Sequence, residues 1–188
     1  MPLRRALTPA DPFAVIRDGT NAHRAQHHCG AYPFSDGPTL AVIAAAVGAR
    51  RILELGTALG YTALSLGRGA PEARIDTIER DPDHVRIARD NIAAAGCAPR
   101  ITVHEGDFRT VLARLETGYD VAFFDGFGPM LDDLTRMRAL LRPRGVLISS
   151  NLDVGGGAAD YRAALLDPDA WLTSFALEGG RTALSVKL

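Results

Sequence analysis

The side chains of this sequence that could do chemistry stand directly behind short apolar runs. Glu54-Leu-Gly-Thr-Ala-Leu-Gly-Tyr-Thr62 ends one such run with a carboxylate and puts Gly56 and Gly60 in the turn that follows. A backbone without Cβ atoms can approach a ligand closely there. The turn has neither the G-x-G-x-x-G spacing that surrounds a pyrophosphate nor the G-K-[ST] of a nucleoside triphosphate loop. An acid beside it suits a cationic ligand better than an anionic one; the competing role is a tight packing turn. Glu79 ends the next run, one βαβ step later, where a carboxylate can accept hydrogen bonds from ribose hydroxyls. Its alternative is a solvated charge beside Arg80 and Asp81. Asp107 either borders a ligand or caps the helix that follows it. Asp125 follows Val-Ala-Phe-Phe, and a charge that ends a buried strand is costly unless it is paired or faces a ligand. Ser149, Ser150 and Asn151 occupy the corresponding place after the next run, to orient a substrate or to cap the chain.

Other polar groups carry weaker signals. His23 and His27 have the i, i+4 spacing that aligns side chains on one helix face. That spacing can bind zinc, but H-E-x-x-H is absent and a surface helix is the expectation. His28 adjoins them, and His84 and His104 belong to no motif. Arg136, Arg138, Arg142 and Arg144 read as a solvated helix end that complements its dipole rather than as an RNA-binding patch. Cys29 and Cys97 are too few for a disulfide framework and lack the paired spacing of a zinc site. Both are expected as thiols in a reducing compartment, so the chain is expected to be cytoplasmic.

The elements that must position these groups alternate. Arg51–Leu55, Arg74–Ile78, Ile101–His104, Asp120–Phe124 and Gly145–Ser149 are the expected strands. Tyr61–Gly67, Asp81–Ala95, Phe108–Leu115 and Met130–Leu141 are the helices between them. Parallel strands need such crossovers, so the sheet is expected to be mostly parallel with helices on both faces, its ligand loops sharing the carboxyl edge. A helix near Ala158–Leu166 and two strand-like runs around Glu178-Gly-Gly180 follow, the latter read as a closing antiparallel hairpin. Before the series, Asp11–His28 and Pro38–Val47 read as helices.

The expectation is a single-domain, Rossmann-like, doubly wound α/β fold over residues 1–188, with a seven-stranded sheet. Residues 1–50 form an N-terminal helical extension or lid, and 51–188 the α/β core. Composition agrees with a soluble globular protein: 47% of the residues are hydrophobic, and 21 Lys and Arg face 22 Asp and Glu. A net charge of −1 gives no basic field for a nucleic acid, which is not an expected partner. The longest apolar stretch, Leu40–Val47, is far short of the ~20 residues a membrane helix needs. Arg4 and Arg5 are not followed by an apolar core, so no secretory signal is expected.

Taken together, Arg51-Ile-Leu-Glu-Leu-Gly-Thr-Ala-Leu-Gly-Tyr-Thr-Ala-Leu-Ser65, Ile78-Glu-Arg-Asp-Pro82, Glu105-Gly-Asp107 and Phe123-Phe-Asp125 resemble class I S-adenosylmethionine-dependent methyltransferases. Within that class, Glu-x-Gly-Thr-x-x-Gly-Tyr is similar to the catechol and caffeoyl-CoA O-methyltransferase family. The resemblance spans about Pro33 to the C-terminus, including Gly179-Gly-Arg-Thr-Ala-Leu-Ser-Val-Lys187.

It implies S-adenosylmethionine as cofactor. Glu54, Gly56 and Thr57 would flank its methionine part and Thr62 its carboxylate. Glu79 would hold the ribose, Asp107 and Phe108 would border the adenine, and Asp125 would lie near the sulfonium. Gly60, Tyr61, Arg80 and Gly106 complete the implied set. A positive cofactor without phosphate agrees with carboxylates around a plain glycine turn.

The resemblance also has gaps. Metal-dependent members carry an aspartate after the fourth strand, a lysine shortly after it and an Asp-Asn pair after the fifth. The matching positions here are Asp125, Gly128 and Ser150-Asn151. O-methylation of a small molecule without a metal is therefore expected, the alternative being a cofactor-binding protein with lost or altered transfer. A nicotinamide oxidoreductase is disfavoured by the absent G-x-G-x-x-G. Asp125 is the first candidate base, with His27 or His28 next if the N-terminal helix folds over the site; Asp153 is the residue that could rebuild a metal site. Cys29–Gly37 and Gly126-Phe127-Gly128 are expected to cover a small, planar acceptor, with Tyr32, Phe34 and Phe127 as apolar walls. Pro38–Val47 would serve a lid or the interface of a homodimer. No membrane partner is expected.

Overall fold

The computed structural model describes residues 10–188. Arg4 and Arg5, on which the signal-sequence expectation rests, lie outside the described residues. Five strands run parallel: β1 (Arg51–Leu55), β2 (Arg74–Glu79), β3 (Ile101–Glu105), β4 (Tyr119–Phe124) and β5 (Leu141–Ser149). β6 (Trp171–Leu177) and β7 (Thr182–Lys187) form the closing antiparallel pair, and β7 inserts between β5 and β6 in the order β3-β2-β1-β4-β5-β7-β6. The seven-stranded, mostly parallel sheet read from the sequence is the one found.

Alternation along the strands divides the interior into two layers, because successive side chains leave a strand on opposite faces. Ile52, Ile75, Phe123 and Ile148 point to one face. There they meet α2 (Gly37–Val47), α3 (Tyr61–Gly69) and α4 (Pro82–Ala94). Leu53, Leu55, Phe124 and Leu147 point to the other. That face is covered by α5 (Phe108–Leu112), α6 (Leu131–Leu140) and α7 (Ala158–Leu165). β1 is buried from Ile52 to Leu55, as the central strand of a sheet covered on both faces must be.

The N-terminal helices are joined to this body by specific contacts. Asp36 caps α2, accepting from the Thr39 amide at 3.0 Å, and Gly48 ends it at φ 63°. Leu40 and Ala44 of α2 enter the same apolar layer as α3. Tyr61, at the first turn of α3, donates its hydroxyl to Asp11 Oδ2 at 2.7 Å and accepts from the Gly37 amide at 3.0 Å. It thereby ties together the residues flanking α1 (Ala14–His27) and the start of α2.

Some boundaries differ from expectation. β5 begins at Leu141, which pairs with Tyr119 before the register slips. Arg144 in the irregular stretch has φ 63°. Pro143 and Gly145 hid this early pairing in the sequence. The basic run is not one helix end: Arg136, bonded to Asp132 at 2.9 Å, and Arg138, over Trp171, are in α6, whereas Arg142, bonded to Asp120 at 2.5 Å, and Arg144 are in β5. Neither cysteine is in a disulfide. Among the described residues no helix is long and apolar enough to cross a membrane.

Candidate active site

Strand order reverses around β1, with β2 and β3 on one side and β4 and β5 on the other. The crevice at the carboxyl ends of β1 and β4 is where such sheets take ligands. The sheet hydrogen bonding continues one residue past each strand here. Gly56 N donates to Ile78 O (3.0 Å), Asp125 N to Leu55 O (2.8 Å), Ser150 N to Phe124 O (2.9 Å) and Gly106 N to Glu79 O (2.9 Å). The loops that carry the candidate residues therefore leave the sheet in register. Gly56 has φ 100°, and a Cβ there would stand 2.7 Å from Asp125 O, so only glycine lets these two loops close on each other.

A cavity of about 540 Å³ opens at this edge. Gly56, Thr57, Thr62, Glu79, Arg80, Gly106, Asp107, Phe108 and Asp125 of the expected set line it. Three others stand behind the wall. Gly60 is the αL cap of α3, and Tyr61 is the anchor of the N-terminal segments described above. Glu54 is fully buried. Thr57 and Thr77 hydroxyls lie 2.5 Å apart, and Thr77 donates to Glu54 Oε2 at 2.5 Å. Glu54 Oε1 has no hydrogen-bond partner among the described residues. Burial pushes the Glu54 carboxyl up to about 7, and the Glu79 charge adds to that while the nearby Thr62 and Thr77 hydroxyls oppose it.

Glu79 is organised by backbone. Its Oε1 accepts from the amides of Arg80 (2.9 Å) and Asp81 (3.0 Å), and its Oε2 accepts from Ala58 N (2.9 Å). Each carboxylate oxygen can accept about two bonds, so Oε2 keeps one free lone pair toward the cavity. The Ala58 contact also holds that residue at φ 44°, an uncommon conformation for a side chain with a Cβ. Of the two roles open to Asp107, the cap is seen directly. It caps α5 through Thr110 N at 2.9 Å and lines the cavity.

Asp125 is the junction. It lines the larger cavity and also a second one of about 390 Å³, with Tyr32, Phe34, Phe127, Asn151, Asp153, Glu178 and Arg181. Ser150 Oγ lies 2.5 Å from Asp125 Oδ1, and Asn151 Nδ2 reaches the same oxygen at 3.3 Å and Gly126 O at 3.1 Å. Asn151 has φ 58°, which turns its amide back toward Asp125. Burial pushes the Asp125 carboxyl up to about 8, the charges of Glu54 and Glu178 add to the effect, and the bonds from Ser150 and Asn151 oppose it. Glu54, Glu79 and Asp125 thus make a cluster of acids whose mutual repulsion a cationic ligand would relieve.

The segments expected as a cover are divided between the two cavities. Gly30, Ala31, Tyr32 and Pro33 line the larger cavity together with Gly126, Phe127 and Gly128. Phe34 instead packs edge-on against Phe123 at 5.5 Å and faces only the smaller cavity. Ser149 is buried against the Tyr161 hydroxyl at 3.0 Å and serves packing. His27 and His28 are exposed and line neither cavity, so the geometry gives them no place as bases. Asp153 reaches the mouth of the smaller cavity, where its carboxylate lies 3.8 Å from Arg181 Nε. Sequence reasoning missed His84, Met130 and Asp133 in the larger cavity, and Glu178 and Arg181 in the smaller. Only His84 had a local clue, its place in the first turn of the helix after Glu79.

Comparison with known proteins gives a consistent picture. A family model described as a methyltransferase domain matches residues 53–151, more than half of the chain. A catechol O-methyltransferase of Mycobacterium tuberculosis is 36% identical over 124 residues, which are 64% of this chain and 56% of that protein. The chain spans between 56% and 63% of the length of three curated mycobacterial relatives. Among solved structures, the O-methyltransferase from Bacillus cereus in complex with S-adenosylhomocysteine aligns with TM-score 0.80 at 22% identity, covering 97% of this chain and 94% of that one. TomG of Streptomyces achromogenes, an O-methyltransferase of tomaymycin synthesis solved with S-adenosylmethionine, aligns with TM-score 0.80 at 22% identity, covering 97% and 92%.

Proposed function

Because the chain belongs to the S-adenosylmethionine-dependent O-methyltransferases of the catechol and caffeoyl-CoA type, we propose that it transfers the methyl group of that cofactor to a hydroxyl of a small acceptor, without a divalent ion. The observation that carries this reading is the placement of Asp125 in the walls of both cavities, so that one carboxylate serves the cofactor side and the acceptor side. The residues present fit the cofactor. Its sulfonium and ammonium are cationic and it has no phosphate, which agrees with an acid cluster around a close glycine turn. Glu79 Oε2, with its free lone pair, would hold the ribose; Asp107 and Phe108 would border the adenine.

When bound, S-adenosylmethionine supplies an electrophilic methyl group on a positive sulfur. The rest is the work of the chain. Oδ1 of Asp125 is held by Ser150 and Asn151, which leaves Oδ2 to take the acceptor's hydroxyl proton. A carboxyl lifted to about 8 is matched to that task near neutral pH. Tyr32 and Phe127 offer flat apolar surface to a planar acceptor, and the segments that carry them would exclude water. Holding the two reactants in line contributes the larger part of the acceleration.

The same residues do not fit a hard divalent ion, which wants oxygen ligands that include charge-compensating carboxylates. Asp125 Oδ1 is occupied by a hydroxyl and an amide N–H, and Asp153 is drawn to Arg181. The reading is tested by incubating the protein with methyl-labelled S-adenosylmethionine and a panel of planar hydroxyl compounds, catechol first. A methylated product is expected, with Asp125→Asn slowing turnover by about a hundredfold or more. Tight cofactor binding with no product from any acceptor would favour a cofactor-binding protein instead.

A further inference from the structure

We propose that His23, Cys29 and His84 form a site for a borderline-soft divalent ion, zinc first, which ties α1 to α4 beside the larger cavity. This does not rest on methyl transfer. The candidate ligand atoms of the three residues lie within 4.8 Å of one another, although 55 positions separate Cys29 from His84 in the sequence. Zinc bonds of ~2.0–2.3 Å to nitrogen and sulfur put the ligands of a tetrahedral ion roughly 3.3–3.7 Å apart, so closure of about an ångström completes the site. His23 and Cys29 are only half-buried, which leaves their side chains free to make that movement.

Local structure delivers each ligand. His23 projects from α1, stacks on His27 with ring centroids 4.3 Å apart, and meets the His84 ring edge-on at 5.2 Å. His28 ends α1 in the left-handed conformation, φ 52°, and the turn brings Cys29 back beside the helix. His84 is buried in the first turn of α4. Its Nδ1 lies 4.0 Å from Glu79 Oε1 and its Nε2 3.9 Å from Asp81 Oδ2, both too long for hydrogen bonds.

The surroundings suit a cation. The charges of Asp81 and Asp83 act on His23, and Glu79 and Asp81 lie 4.0 and 3.9 Å from the His84 ring nitrogens. The positive neighbour on α1, Arg24, is turned onto the Tyr32 ring at 4.1 Å. One thiolate and two imidazoles select zinc over magnesium or calcium, in contrast to the oxygen groups around Asp125. Binding releases the Cys29 thiol proton to solvent. Three protein ligands leave a fourth position for water or for His27. The sequence concealed this site because the i, i+4 pair His23 and His27 draws attention to α1 alone, whereas the third ligand comes from another helix.

The test titrates the untagged, metal-stripped full chain with zinc chloride by calorimetry and with cobalt(II) by absorption. The expected result is saturation at one equivalent, with an ultraviolet thiolate-to-cobalt charge-transfer band that Cys29→Ser abolishes. Loss of an inner ligand should cost at least the about tenfold that even outer-shell changes cost, so His23→Ala and Cys29→Ser should each weaken zinc binding by that factor or more. Unchanged circular dichroism would certify that both variants fold. No saturable zinc binding by the wild-type chain overturns the proposal, as does binding of undiminished affinity in the two variants.

Discussion

Replacing Glu79 by alanine removes the acceptor proposed for the ribose and also the partner of three backbone amides. A charge-assisted hydrogen bond is worth roughly 1.5–3 kcal/mol, so calorimetric titration should find S-adenosylmethionine bound about tenfold more weakly or worse by a folded Glu79→Ala protein. Asp125 carries a second expectation, on stability. Its carboxyl stands at about 8 in the folded chain against an ordinary value of 3.8, so the fold holds this proton more tightly than the unfolded chain does. Its contribution to stability is fully present below the ordinary carboxylate range and is lost as pH rises through about 8. Asp125→Asn has no proton to lose. Its Tm relative to wild type should therefore climb as pH is raised from about 5 to about 8, which thermal melts at several pH values would check. Asp125 was legible in the sequence because an acid that ends an apolar strand needs a reason. His84 offered only its place in the first turn after Glu79, since its contact with His23 forms only in the folded chain.

The turn after β1 is the element on which the site depends. At Gly56, φ of 100° and the approach to Asp125 O both exclude a side chain, so Gly56→Ala must push the β1 and β4 loops apart. An L-residue in left-handed backbone costs about 1–2 kcal/mol before any clash. Lower Tm and weaker cofactor binding are expected together, and differential scanning fluorimetry with and without S-adenosylmethionine reads both. Strands and helices from β1 to β4 could be read closely because apolar period and turn residues agree there. The start of β5 is not legible, because Leu141 pairs with Tyr119 before a register slip that no local pattern announces. The N-terminal elements were read as helices, but their attachment was hidden. It depends on the Tyr61 hydroxyl meeting Asp11 and Gly37, a contact between residues far apart in sequence.

At the scale of the molecule, β1 and β4 lie side by side with their carboxyl ends at the crevice, and the two apolar layers hold them from opposite faces. That the five strands are parallel follows from the helices between them and could be anticipated; their order is read only from the folded chain. Which cavity adjoins which could not be anticipated either, since it depends on where β7 and the Glu178–Gly180 turn bring Glu178 and Arg181. That arrangement makes Asp125 the shared wall on which the proposed chemistry rests. The most direct measurement is turnover of an identified acceptor after exhaustive chelation, with magnesium, calcium and manganese then added back one at a time. Methyl transfer is expected to continue in the chelated protein, and none of the three ions should raise it. Activity abolished by chelation and restored by any one of them would contradict that expectation, and would point to Asp153 as a ligand released from Arg181.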